Sequence, residues 1–223
     1  MRIKIIETAD GSTSLYNEEL DETYHSRHGA IQEALHIFIG AGLIPIIDQK
    51  NVINILEMGF GTGLNAWLTA IEAQKHKVRI NYVGIEAYPV KDELIESINY
   101  TNWAKNDFEK DLFQKLHKAK WEADNKVDEY FYLQKIKLML EDFQSEPKFD
   151  LIYFDAFGPN TQPHLWTEDV FRKMLNALKP NGILMTYSVK GSVRRAMGRA
   201  GFKVEKIPGP PGKREISRAM KVV

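Results

Sequence analysis

The 223 residues are 43% hydrophobic and 27% charged, with 30 cations balancing 30 anions. This is the composition of one folded domain and excludes disorder, collagen or coiled coil as a description of the whole chain. The absence of cysteine excludes disulfides, thiolate nucleophiles and cysteine-ligated zinc, and any mechanism that adds an enzyme thiol to a pyrimidine ring. No apolar run approaches the roughly 20 residues of a bilayer span. Met1-Arg2-Ile3-Lys4 leads into acids rather than an apolar signal core, so a cytoplasmic protein without a membrane partner is expected.

Ile3 to Ile6 is a short apolar stretch before the turn signal Asp10-Gly11-Ser12, and reads as a strand or hairpin ahead of the main fold. Ala30, Ile31, Ala34, Leu35 and Phe38 fall at helical spacing, and Gly40, Gly42 and Pro45 mark the end of that helix. Val52 to Leu56 is a buried strand, followed by Glu57-Met58-Gly59-Phe60-Gly61-Thr62-Gly63 and a helix carrying Leu64, Trp67, Leu68 and Ile71. Ile80 to Ile85 is a second strand, ending at Glu86. Leu94, Ile95 and Ile98 mark one helix, and Phe108, Leu112 and Leu116 another. Tyr130 to Leu140 is a third strand reaching Glu141-Asp142, and Phe149 to Phe154 a fourth, ending at Asp155. Thr167 caps a helix with Glu168 and Asp169 in its first turn and Phe171, Met174, Leu175 and Leu178 as its buried stripe. Pro180-Asn181-Gly182 stops it, and Ile183 to Tyr187 is a fifth strand. Ser192 to Ala200 is a short helix closed by Gly201. Phe202 to Ile207 and Glu215 to Val222 are two closing strands around a Pro-Gly-rich turn.

Strands alternating with helices imply a mainly parallel α/β sheet covered on both faces, with an antiparallel pair at one edge. Such sheets bind ligands beyond the carboxyl ends of the strands, where strand order reverses. Glu57 with the glycines, Glu86, Asp142 and Asp155 all lie just past a strand end, so one crevice is expected to collect them. The glycine run is neither standard nucleotide loop. Leu64 stands where the dinucleotide fingerprint needs its third glycine, and no Lys-Ser/Thr pair follows to hold phosphates. The tail from Ser188 to Val223 holds ten cations and two acids, a charge of +8, which leaves −8 on residues 1–187. One basic face for nucleic acid or phosphate is expected on an otherwise acidic body. His36, His76 and His117 lie in helical stretches without partners at metal spacing, so no metal is assigned.

An acid-x-G-x-G-x-G loop after the first strand resembles motif I of the class I S-adenosylmethionine-dependent methyltransferases. The resemblance implies a Rossmann-like fold with a twisted, mainly parallel sheet, an antiparallel edge and a short N-terminal extension. Residues 1–28 would be the extension and 29–223 the methyltransferase domain. It also implies that Glu57, Gly59, Phe60, Gly61, Gly63, Asn65, Glu86, Asp142 and Asp155 hold S-adenosylmethionine, Glu86 on the ribose hydroxyls and Asp142 near the adenine. Three segments carry a closer likeness. They are Asp155-Ala156-Phe157-Gly158-Pro159 with Pro163-His164-Leu165-Trp166, Gly191-Ser192-Val193-Arg194-Arg195 through Gly212-Lys213-Arg214-Glu215, and Tyr24-His25-Ser26 with Gly29-Ala30 and Glu33. They are similar to the methyltransferase domain of the bifunctional tRNA wobble-uridine modification enzyme and its stand-alone relatives, over roughly residues 12–220, and match the single-domain form. Two departures stand out. Asn160 and Pro163 are separated where bifunctional members have Asn-Pro, and Lys190 stands where those members often have alanine.

The likeness implies N-methylation of 5-aminomethyl-(2-thio)uridine at the wobble position, with the tRNA anticodon stem-loop as partner. Asp155 would be the catalytic carboxylate, accepting hydrogen bonds from the amine and orienting it. Phe157 and Trp166 would stack on the flipped base. Lys190, Arg194, Arg195, Lys213 and Arg214 would hold anticodon-loop phosphates. Tyr16, His25, Ser26 and Tyr187 are lesser pocket candidates. Two rival functions are a class I methyltransferase acting on a small-molecule or protein amine, and a noncatalytic RNA-binding relative.

Overall fold

The alternation of strand and helix builds an eight-stranded sheet in a computed structural model that describes residues 2–222. Its strands are β4 (Val52–Met58), β5 (Arg79–Glu86), β6 (Asp124–Lys126), β7 (Phe131–Lys137), β8 (Phe149–Phe154), β9 (Leu178–Thr186), β10 (Lys203–Pro208) and β11 (Glu215–Met220). Their spatial order is β10-β11-β9-β8-β4-β5-β7-β6. The five central strands run parallel, and β10, β11 and β6 are antiparallel to their neighbours. Strand order reverses between β4 and β8, so the crevice of this sheet opens above the ends of those two strands. Every residue of β8 is buried, as a strand covered on both faces requires. Three shorter strands precede the sheet and form one of their own: β1 (Ile3–Glu7), β2 (Thr13–Asn17) and β3 (Glu22–Thr23). The turn between β1 and β2 is fixed by Asp10, whose Oδ1 accepts from Ser12 N–H at 3.0 Å.

Six helices cover the main sheet: α1 (Ala30–Ile47), α2 (Leu64–His76), α3 (Asp92–Glu96), α4 (Asp107–Lys118), α5 (Glu168–Ala177) and α6 (Gly191–Ala200). α1, α2 and α4 pack on the face that presents Ile53, Ile55, Tyr82, Phe131 and Tyr153. α5 and α6 pack on the face that presents Leu56, Ile152, Phe154 and Leu184. Thr167 caps α5, accepting from Val170 N–H at 3.4 Å, and Gly201 ends α6 at φ +110°, as the sequence indicated.

Three boundaries and one short strand differ from the sequence reading. α1 runs through Gly40, Gly42 and Pro45, because Leu35–Leu43 widens into a π-helical stretch. A Cβ on Gly42 would lie 3.1 Å from Met185 Cγ, so the missing side chain lets the helix lie on β9. Leu35, the first residue of that stretch, is 43% exposed. α1 has 18 residues of mean hydropathy 1.7, a longer apolar run than the sequence reading recognised, and by length and composition it could cross a membrane. Half of it is buried, with Phe38 against Tyr153 at 5.1 Å between ring centroids. The third parallel strand stops at Lys137, before a 3₁₀ turn over Leu140–Asp142. Leu178 opens β9 instead of closing α5, and Asn181 enters the left-handed region at φ +61° within that strand. The edge strand β6 has no apolar pattern and went unread.

Candidate active site

The loop after β4 forms the floor of a cleft of about 340 Å³. Gly59 and Gly61 sit at φ +92° and +50°, values that favour glycine. A Cβ on Gly59 would lie 2.7 Å from the Asp155 carbonyl oxygen, so the loops after β4 and β8 meet backbone to backbone. Gly61 N–H donates to Glu86 Oε2 and Tyr88 N–H to Oε1, each at 2.9 Å. Glu86 thus braces the glycine loop while lining the cleft, and burial raises its carboxyl pKa. Phe60 fills the space that Gly84 leaves open on β5.

Three polar side chains meet at the strand-order reversal. The Asn65 amide, in the first turn of α2, donates to Glu57 Oε1 and to Asp155 Oδ2, each at 2.9 Å. Glu57 is 1% exposed, and its Oε2 and Asn65 Oδ1 have no hydrogen-bond partner among the described residues. Burial, with Asp155 nearby, holds the Glu57 carboxyl well above the usual range. Burial and then the Glu33 carboxylate push Asp155 up to about 7, while the Asn65 hydrogen bond and the Lys213 cation pull the other way.

The roof comes from the N-terminal strands. Tyr24, His25 and Ser26 line the cleft just after β3. Tyr24 meets Phe157 edge-on at 5.0 Å between centroids, and Glu22 Oε2 accepts from Thr161 Oγ1 at 2.8 Å. These contacts pin the segment around β3 to the loop after β8. His25 Nδ1 contacts Ser14 Oγ at 3.1 Å and the Tyr100 hydroxyl at 3.3 Å, while Nε2 faces Thr62 Oγ1 at 3.5 Å. Burial lowers His25 to about 4, so a neutral imidazole links β2 to the glycine loop.

Of the residues singled out from sequence, Glu57, Gly59, Phe60, Gly61, Asn65, Glu86, Asp155, Phe157 and Lys213 line this cleft, with His25, Ser26 and Tyr187. Gly63 lies beneath it as the left-handed N-cap of α2, against His117. Asp142 is exposed and off the lining. The early end of β7 and the 3₁₀ turn bring Glu141 to the cleft instead. Trp166 is not a stacking surface but core. It is 5% exposed, packs on Phe154, Phe171 and Tyr187, and donates its Nε1–H to the Phe157 carbonyl at 2.8 Å. Tyr16 hydrogen-bonds Asp21 away from the cleft. Lys190 bonds Asn160 Oδ1, and Arg194 Nε–H donates to the Val189 carbonyl at 3.3 Å, both outside the lining. Arg195 and Arg214 are exposed and make no ion pair among the described residues. Lys213 turns inward, pairing with Glu33. Tyr24 and Glu33 were quoted for the family likeness but given no role. Their position in a matching segment was the available signal.

A glycine loop after the first parallel strand, an acid ending the second, and a cleft at the strand-order reversal define a Rossmann-like nucleoside-binding sheet, here with an antiparallel β10–β11 edge. The family model for S-adenosyl-L-methionine-dependent methyltransferases matches residues 101–222, and the chain belongs to that family. It is 30% identical over 220 residues to the tRNA 5-methylaminomethyl-2-thiouridine biosynthesis bifunctional protein MnmC of Burkholderia multivorans, covering 91% of this chain and 33% of that protein. The protein of the same name from Leptospira borgpetersenii is 28% identical over 213 residues, covering 90% of this chain and 32% of that protein. The chain thus spans about a third of the length of the curated relatives it matches. Among solved structures, MnmC2 from Aquifex aeolicus superposes with a TM-score of 0.83 at 25% identity, covering 99% of this chain and 70% of that one. Spermidine synthase from Thermotoga maritima shares the fold, with a TM-score of 0.52 at 15% identity.

The cofactor is S-adenosylmethionine, and the cleft fits it. The volume suits a nucleoside-sized ligand. Only glycine at 59 lets the loop lie this close to the Asp155 backbone, which brings Asp155 to the cleft beside the loop. The buried Asn65 Oδ1 has no hydrogen-bond partner among the described residues and can accept from a ligand, and the acidic lining suits a sulfonium cation.

Proposed function

We propose that this methyltransferase N-methylates the primary amine of 5-aminomethyl-(2-thio)uridine at the wobble position, giving 5-methylaminomethyl-(2-thio)uridine, with the tRNA anticodon stem-loop as partner in the cytoplasm. The observation that carries the reading is Asp155, a cleft carboxylate pushed up to about 7 and joined through Asn65 to Glu57. The names of the relatives support the substrate. We assign residues 29–223 as the catalytic domain, and residues 1–28 as an extension that supplies the roof through Tyr24, His25 and Ser26.

When bound, S-adenosylmethionine supplies an electrophilic methyl group on a sulfonium. Glu86 would hold the ribose, and the glycine loop the rest of the nucleoside. An aliphatic ammonium has a pKa of about 10 and no lone pair, so the amine must lose a proton before it can react. Asp155 Oδ2 is held by Asn65, which leaves Oδ1 to accept a hydrogen bond and then the proton from the amine. A carboxyl near 7 is a stronger base than an exposed aspartate, so the transfer is less uphill. Phe157, held edge-on by Tyr24, offers a ring beside that position for the uracil base. Alignment by these groups supplies most of the acceleration. The test is incubation of tRNA carrying 5-aminomethyl wobble uridine with the protein and labelled S-adenosylmethionine, followed by nucleoside mass spectrometry. One added methyl on that nucleoside is expected. Label on another nucleoside, or on free amines alone, would overturn the reading.

A further inference from the structure

Among the described residues, Lys213 is the only lysine or arginine that lines the cleft. It sits in the turn between β10 and β11, and its ammonium pairs with Glu33 of α1, 180 residues away in sequence. The same nitrogen lies 4.5 Å from the centroid of the Tyr187 ring. That ring is held from two sides. Its hydroxyl donates to the Ala156 carbonyl at 2.9 Å, and Trp166 packs edge-on at 5.8 Å. Glu33 is held as well, since its Oε1 accepts from Ser26 N–H at 3.3 Å. An aromatic face and a carboxylate, both fixed and both beside Asp155, make a seat for an ammonium group.

We propose that Tyr187 and Glu33 form an ammonium subsite of the active cleft, in which the Lys213 side chain stands in for the cationic amine of the substrate and leaves when that amine arrives. The substrate named here rests on the wobble-amine reading above. The subsite itself rests on the geometry of three side chains.

The stand-in and the substrate share one head group, a primary ammonium with three N–H donors. What satisfies Lys213 Nζ satisfies an aminomethyl group. Two cations in one small seat repel, so the entry of one displaces the other. Lysine suits this exchange because its four-carbon stem is flexible. Electrostatics agree with the placement. Burial, and then the carboxylates of Asp155, Glu22 and Glu33, hold the Tyr187 hydroxyl well above its ordinary pKa, so three acids act on this ring. Glu33 raises Asp155 and Lys213 lowers it. An ammonium that takes the Lys213 seat takes over that second effect, so the charge beside Asp155 is conserved through the exchange. The other paired cations of the tail, Arg199 with Glu168, Lys206 with Glu215 and Arg218 with Glu205, lie outside the cleft lining.

The subsite makes specificity a matter of charge. A 5-substituent without a cationic nitrogen cannot replace Lys213, so the cleft stays occupied by the lysine and the substituent is rejected. The test uses methylammonium chloride as probe, titrated calorimetrically against the full chain and compared with sodium chloride at equal ionic strength. Lys213→Met empties the seat and should bind methylammonium at least about tenfold more tightly than the wild type. Adding Glu33→Gln to Lys213→Met should remove most of that gain. Lys213→Gln, which keeps a polar head without charge, serves where the methionine variant does not fold as judged by circular dichroism. Equal methylammonium affinity in the wild type and in a folded Lys213 variant overturns the subsite, whatever the tRNA assay shows. Methylammonium binding that follows Lys213 and Glu33, in a protein that never methylates 5-aminomethyluridine tRNA, retains the subsite and removes the wobble-amine reading instead.

Discussion

Asp155 changes two measurable properties with pH. Its carboxyl ordinarily titrates near 3.8, and burial beside Glu33 moves it to about 7 in the folded chain. Catalysis by its ionised form should therefore show an acidic limb. We expect kcat/KM to fall about tenfold per pH unit below about pH 7, read from initial rates at subsaturating tRNA. Absence of a limb above about pH 5 would separate Asp155 from proton transfer. Stability follows the opposite sense. The folded state binds this proton more tightly than the unfolded chain, so the contribution is fully present below 3.8 and is lost as pH rises through about 7. Asp155→Asn removes that loss. The melting temperature of the variant relative to the wild type should rise between about pH 5 and pH 8, by an amount equivalent to about 1–3 kcal/mol. The cleft positions of Asp155, Glu57 and Glu86 were legible in the sequence because each sits where a parallel strand ends, and the crevice of such a sheet opens there. Asp142 and Trp166 were misplaced for separate physical reasons. A strand shorter than its apolar run rotated Glu141 inward instead, and an aromatic near a site looks the same in sequence whether its ring faces a base or the core.

The glycine loop and α1 are the elements on which the site depends. Gly59 has φ +92°, and its absent side chain leaves room for the Asp155 carbonyl, a backbone atom that cannot rotate away. Gly59→Ala should lower S-adenosylmethionine affinity at least tenfold and destabilise the fold by about 1–3 kcal/mol, read by calorimetry and thermal melting. An alanine variant with unchanged affinity would show that the loop is free to re-form. The strands of the core were legible because a strand covered on both faces must be largely apolar, and Phe149–Phe154 is apolar except for Asp150, which pairs with Lys50 and Lys179. The course of α1 was not. Gly40, Gly42 and Pro45 are helix-breaking signals in isolation, yet here a π stretch, close contact with Met185 and a proline opening the last helical turn all serve a continuous helix. The edge strand β6 was hidden because its residues, Asp124-Asn125-Lys126, pair with only one neighbour and bury little.

Across the whole molecule, charge is separated. The tail beyond Tyr187 carries +8 against −8 on the rest. Two charges of that excess are paired with acids outside the tail, Arg199 with Glu168 and Lys213 with Glu33, while Lys206 and Arg218 pair with the tail's own Glu215 and Glu205. Arg195, Lys203 and Arg214 are exposed without an ion pair among the described residues, and the two arginines offer the planar donors that suit phosphates. The double variant Arg195→Ala, Arg214→Ala should weaken tRNA binding and reduce the slope of log affinity against log salt by about 1–2. An unchanged slope would place the RNA on another face. The charge asymmetry was visible in the sequence, but not its internal pairing. Glu33, Glu168, Glu205 and Glu215 meet these cations only through folding, and Glu33 lies 180 residues from Lys213.

The central claim is that the Asp155 carboxylate receives the proton of an amine in the same cleft that holds S-adenosylmethionine. Single-turnover methyl transfer to tRNA bearing 5-aminomethyl wobble uridine, at saturating S-adenosylmethionine, tests it most directly. Asp155→Asn is predicted to slow the transfer at least about 100-fold while S-adenosylmethionine affinity stays within about threefold of the wild type. A variant that transfers the methyl group within about threefold of the wild-type rate would contradict the account.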